Sequence, residues 1–149
     1  MMKITILPTI LGLALAYPSI ALAQDQAEPA PTQEEAALTA LDKELADNWD
    51  PSQRGLFVYL GYYSAASIMC DELELDPAKL GKVLQEGFLT GEDQASDEDR
   101  DKLRKRLIGH LGMATGVFMG LHSHDTAEFC AKAATSKQNS QDSSSLFKD

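Results

Sequence analysis

At 149 residues, with 23 acidic against 13 basic side chains and a formal charge of −10 with histidine neutral, the chain has material for one hydrophobic core and too little for two. The acidity argues against nucleic acid and anionic lipid as partners, because both reward Lys and Arg. A cationic protein partner fits the balance, as does plain solubility.

Met1, Met2 and Lys3 make a short positive start, and Ile4 to Leu22 is apolar apart from Thr5, Thr9, Ser19 and scattered Pro and Gly. Ala21-Leu22-Ala23 then places small residues at the two positions a signal peptidase reads. Residues 1–23 are therefore predicted to be a secretory signal peptide, cut between Ala23 and Gln24. Pro8, Gly12 and Pro18 interrupt the run and argue against an uncleaved anchor, so no stable membrane insertion is expected after cleavage. Removal takes away Lys3 alone among charged residues and leaves the mature chain at −11. A periplasmic or secreted location follows. Gln24 to Pro31 reads as a flexible, proline-bearing linker, and residues 32–136 as one helical domain.

Thr32-Gln-Glu-Glu35 is a capping box, in which hydroxyl and carboxylate satisfy the free backbone NH groups of a helix start. The first helix should run to about Asp47, with Ala37, Leu38, Leu41 and Leu45 on a narrow face that lies at the edge of the core. Asp50-Pro51-Ser52-Gln53 is a second start signal, with Trp49 placed to staple the turn. It opens the central helix. There Leu56, Tyr59, Leu60, Tyr63, Ala66, Ser67, Cys70 and Leu73 recur at spacings of three and four and line one face. Asp71, Glu72, Glu74 and Asp76 follow as an acidic cluster, and Asp76-Pro77 begins a third helix through Leu80, Val83, Leu84 and Phe88, ended by Thr90-Gly91.

Ser96-Asp-Glu-Asp99 caps a fourth helix, where acidic residues suit the helix dipole, and the basic residues Arg100 to Arg106 beside them make a mixed, solvated face. From Leu107 to Leu121 there is no formal charge. Fifteen residues are too few to span a bilayer, and the stretch reads as a helix buried on most sides. Within it Gly112, Gly116 and Gly120 form a GxxxGxxxG series preceded by Gly109. Residues four apart stack on one face, so these glycines open a groove for a second backbone. Close packing on the central helix, with Tyr59, Tyr62 and Tyr63 filling the groove, is the expected use. Self-association through the glycine face and apolar surface exposed under stress are the alternatives. Asp125 to Glu128 offers a last cap for a short helix carrying Phe129 and Cys130. Residues 137–149 read as a disordered polar tail, whose Leu146-Phe147 could tack the end onto the domain.

Cys70 and Cys130 are the two cysteines of the chain. In an oxidising compartment they imply one disulfide, and without a Cys-x-x-Cys motif or an adjacent histidine a catalytic thiol is not expected. The expected fold is thus all-α, a small bundle of four or five helices stapled by one disulfide. His122, His124 and Asp125 carry the right chemistry for zinc or copper, although His110 lies about 18 Å from His122 along a helix and cannot join them without a reversal. Loop histidines with no ligand are the simpler reading, and no cofactor is required. No G-x-S-x-G, H-E-x-x-H or phosphate-cradling loop is present, and enzyme activity is not expected. In general layout the chain is similar to small periplasmic helical proteins with one disulfide, among them acid-stress chaperones and immunity proteins. The resemblance is one of class and transfers no functional residue. It implies a non-catalytic binding protein acting on another protein, with Asp71, Glu72, Glu74 and Asp76 or the glycine face as contacts. A metal-binding protein and a structural cell-envelope component are the other readings.

Overall fold

The computed structural model describes residues 30–139 and 145–148; the signal-peptide reading and all but the end of the linker fall on residues outside these. Five α-helices follow in order: α1 (Gln33–Leu45), α2 (Pro51–Met69), α3 (Pro77–Phe88), α4 (Asp97–Leu121) and α5 (Thr126–Asn139), with a 3-10 turn at Glu92–Gln94 before α4. The fold is an all-α bundle stapled by one disulfide, Cys70–Cys130.

The helix starts form by local chemistry. Thr32 with Glu35, and Asp50 with Gln53, each make both hydrogen bonds of a capping box. The Asp76 carboxylate accepts from the NH groups of Ala78 and Lys79, and Ser96 accepts from Asp99. Gly91, at φ +83°, turns the chain out of α3 in a region where glycine has no Cβ penalty.

The central helix α2 packs chiefly on α4, and α1 lies against both. Leu41 and Leu45 of α1 are buried while most of the helix is exposed, so α1 docks along a narrow face at the edge of the core. Leu60, Tyr63, Ala66, Cys70 and Leu73 of the expected α2 face are buried, and Phe57, Gly61 and Ala65 join them. A Cβ on Gly61 would stand 2.8 Å from both the carbonyl carbon and the Cβ of Ala114. The close backbone approach between the two helices is therefore made by the glycine of α2, and not by the glycines of α4.

That finding corrects the expected packing of α4. Leu107, Ala114, Thr115 and Phe118 face the core, whereas Gly109, Gly112, Gly116 and Gly120 have nothing within 4 Å of an added Cβ. At 100° per residue the four glycines span about 80° on the side opposite the core residues. The helix is thus buried on one side and open on the other. Leu107 to Leu121 misled because neither side carries a charge.

Two aromatic groups bracket the bundle. Trp49 meets Phe57, Phe88 and His110 edge-on at centroid distances of 5.0, 5.3 and 5.9 Å. Tyr62 meets Phe118 and Phe129 at 5.7 and 5.4 Å. The end of the chain joins the core as well. Helix α5 continues to Asn139, beyond the boundary expected at 136, and Leu146 and Phe147 are each 1% exposed. Phe147 forms an isolated antiparallel bridge with Leu75, so these two residues of the supposed polar tail are core residues. Among the described residues no helix is long and apolar enough to cross a membrane.

Candidate functional site

The outer face of α4 is the first of the sequence-derived candidates. Its N-terminal half is the solvated mixture expected, with Lys102 paired to Glu98, Lys105 to Asp101 and Arg104 to Glu92, each at 2.6 Å. Beyond Arg106 the face turns apolar. Ile108 is 70% and Met113 37% exposed, and Gly112, Gly116 and Gly120 lie open between and beyond them. A shallow groove of about 440 Å³ runs alongside, lined by Ala37, Ala40, Leu41 and Glu44 of α1 and by Met113 and Val117 of α4. The α1 wall is small at Ala37 and Ala40, while Met113 and Val117 make the α4 wall apolar.

The four acidic residues expected to act as one patch separate into two kinds. Glu74 is ion-paired with Lys148. Asp76 is spent on the start of α3; the NH groups of Lys79 and Ala78 hold its carboxyl below the ordinary range, and the charges of Lys79 and Lys148 add to the effect. Asp71 and Glu72 remain exposed on the turn after α2. They line an open depression of about 390 Å³ beside the disulfide, with Met69, Leu73 and Ala134.

The histidines are not gathered into a metal centre. His122 turns inward and stacks on Phe129 at 4.3 Å and 11°. Its Nδ1 is buried without a hydrogen bond, 3.4 Å from an Asp125 carboxylate oxygen, while His124 is exposed. Among the described residues no three of His, Cys, Asp and Glu converge on a point that could hold a metal ion. His122 and Asp125 thus lie side by side while His124 is exposed, and the set His122, His124 and Asp125 does not form a three-ligand cluster in this structure. His110 is held elsewhere, accepting from the Trp49 indole.

Three features escaped the sequence reading. Gly61 was visible only as a glycine inside an aromatic helix. The Trp49–His110 bond joins residues 61 apart and leaves no local trace. Glu92 has a side chain only 8% exposed, paired with Arg104 through one carboxylate oxygen while the other is buried without a hydrogen bond. Beside the core, partial burial pushes the Tyr59 phenol up to about 12, assisted by Tyr63, whose ring lies 4.8 Å away. This tyrosine remains a neutral, structural group at any physiological pH.

Comparison with protein-family models, with curated proteins and with solved structures finds no match to this chain, and the functional reading rests on the surfaces themselves.

Proposed function

We propose that this chain is an exported, non-catalytic binding protein of the periplasm or extracellular space, an inhibitor, immunity factor or stress chaperone that engages another protein through the outer face of α4. The observation that carries this reading is the open space beyond Gly109, Gly112, Gly116 and Gly120. A glycine inside a helix costs up to about 1 kcal/mol relative to alanine, and no contact within the domain requires these four to lack a side chain. A partner backbone lying along the groove would recover that cost, with Ile108 and Met113 as apolar flanks. Export is supported by the signal-like N-terminus and by the Cys70–Cys130 bridge, since disulfides persist in oxidising compartments.

The test is photo-crosslinking from position 113 in cells that export the protein, comparing the natural chain with a Gly112→Leu, Gly116→Leu variant. One adduct of fixed mass, lost in the variant, supports an inhibitor or immunity factor, and an adduct of twice the chain's mass assigns the face to self-association. A ladder of many adducts that grows at low pH supports a chaperone. No adduct, or adducts unchanged in the variant, would overturn the reading.

A further inference from the structure

Ser145–Lys148 occupies a groove built from three separate parts of the chain. Its backbone is added to residues 74–76 in strand fashion. Asp76 donates its NH to the Leu146 carbonyl at 2.7 Å, and Lys148 donates to the Glu74 carbonyl at 2.8 Å. The Lys79 ammonium, from α3, donates to the Phe147 carbonyl at 3.0 Å. Phe147 packs on Tyr63 of α2 with ring centroids 4.8 Å apart, while Leu146 sits beside Lys79 and Val83 of α3. Main-chain pairing with two side-chain anchors is the way strand-adding domains hold extended peptides. The occupant here belongs to the same chain, and its order is aliphatic, Phe, Lys.

The acidic edge of the groove is larger than this occupant uses. The pairing of Phe147 with Leu75 and of Lys148 with Glu74 brings the basic end of the segment to Leu73 and the turn that carries Glu72 and Asp71. Both carboxylates are exposed and border the open depression by the disulfide. Lys148 is the one basic residue of Ser145–Lys148, and its charge is already met by Glu74. A segment with further basic residues after that position would be attracted to Asp71 and Glu72, which this occupant leaves unmet.

We propose that the groove is a docking site for an extended segment of a partner protein, aliphatic–Phe followed by several basic residues, and that Ser145–Lys148 is a resident pseudo-ligand displaced by it. No α4 residue enters the argument, so it stands or falls apart from the function proposed above. The tail, being tethered, competes at an effective concentration of about 1 mM.

The probe is a fluorescent peptide, Ser-Ser-Leu-Phe-Lys-Lys-Lys-Lys, titrated with full-length protein and read by anisotropy. Saturable binding is expected, weakened about tenfold when the peptide Phe is replaced by Ala, as loss of a buried ring requires. An Asp71→Asn, Glu72→Gln variant, altered only at exposed positions, should bind about threefold less tightly. Lys148→Glu breaks the resident ion pair, keeps Leu146 and Phe147 in place, and should tighten peptide binding about threefold. Equal binding of the Phe and Ala peptides would overturn the proposal by reducing the interaction to charge alone. So would an unchanged affinity in Lys148→Glu, or no binding by that variant at about 1 mM peptide.

Discussion

The indole Nε1 of Trp49 donates to Nδ1 of His110 at 2.7 Å and joins the corner between α1 and α2 to the middle of α4. An indole nitrogen can only donate, so His110 must present Nδ1 bare and carry its proton on Nε2. The bond belongs to the neutral imidazole, since protonating Nδ1 removes the acceptor.

Replacing Trp49 by Phe keeps most of the ring contacts with Phe57 and Phe88 and leaves the imidazole acceptor without its donor. A loss of about 1–2 kcal/mol is expected, seen as a melting point lowered by roughly 5–10 °C for a domain of this size. Trp49 is the chain's sole tryptophan, so its fluorescence reports this corner directly. The emission maximum should move in His110→Leu, which removes the acceptor of the indole NH; an unchanged spectrum would contradict the assigned bond.

Alanine should have opposite effects at Gly61 of α2 and at the glycines of α4. Gly112→Ala and Gly116→Ala point into open space and are expected to stabilise the domain by about 0.5–1 kcal/mol each. Gly61→Ala drives a methyl to within 2.8 Å of Ala114 backbone and side chain and should destabilise by about 1–3 kcal/mol. Denaturant midpoints on the three variants decide the point, and a loss of stability in the α4 pair would mean that this face is not open.

Reduction of Cys70–Cys130 frees a loop of 60 residues, which by chain-entropy reasoning is roughly 4 kcal/mol of lost stability. Phe147→Ala removes a ring that is 1% exposed and should cost about 3–5 kcal/mol. The two effects should not add simply, because Cys70 and the bridge at Leu75 fasten the same short connection. A double-mutant cycle in urea measures the coupling; strict additivity would show the two fastenings to be independent.

The pH limits of the fold follow from groups at its two extremes. Folded Tyr59 keeps its proton up to about 12, chiefly because it is partly buried, whereas an unfolded tyrosine loses it near 10. A raised folded value means that its contribution is full below about pH 10 and is lost as pH rises towards 12. Tyrosinate absorbance should show a late component that Tyr59→Phe removes. On the acid side, the carboxyls of Glu35 and Asp76 are lowered by backbone hydrogen bonds. Their stabilisation is present above the ordinary carboxylate range and disappears as pH falls through the lowered values. Amide exchange in the first turns of α1 and α3 should rise there, and Asp76→Ala should make the start of α3 exchange quickly at every pH.

Much of the fold was legible because helix starts are local chemistry. Thr32 with Glu35, Asp50 with Gln53, and Asp76 before Pro77 are satisfied within three residues of themselves, and tertiary context had no need to intervene. The disulfide followed from two cysteines in a chain that reads as exported. The orientation of α4 was illegible for a different reason. Periodicity locates a buried face by contrast with a polar one, and between Leu107 and Leu121 glycine stands where charge would mark the solvent side. The division of the acidic cluster was illegible because it depends on pairing. Whether Glu74 meets solvent or Lys148 depends on a bridge between Leu75 and Phe147, a long-range register with no local pattern to announce it.

The connection from Cys70 to Asp76 is held by Cys130 on one side and by Leu146 and Phe147 on the other. A chain that emerges residue by residue, from a ribosome or through a translocation pore, presents α2 and this connection long before either fastening exists. The central helix must wait with Tyr63 and Cys70 uncovered until the late segments arrive. The order of emergence thus defers the closing of the core until its last-made residues, Leu146 and Phe147, are free to reach it.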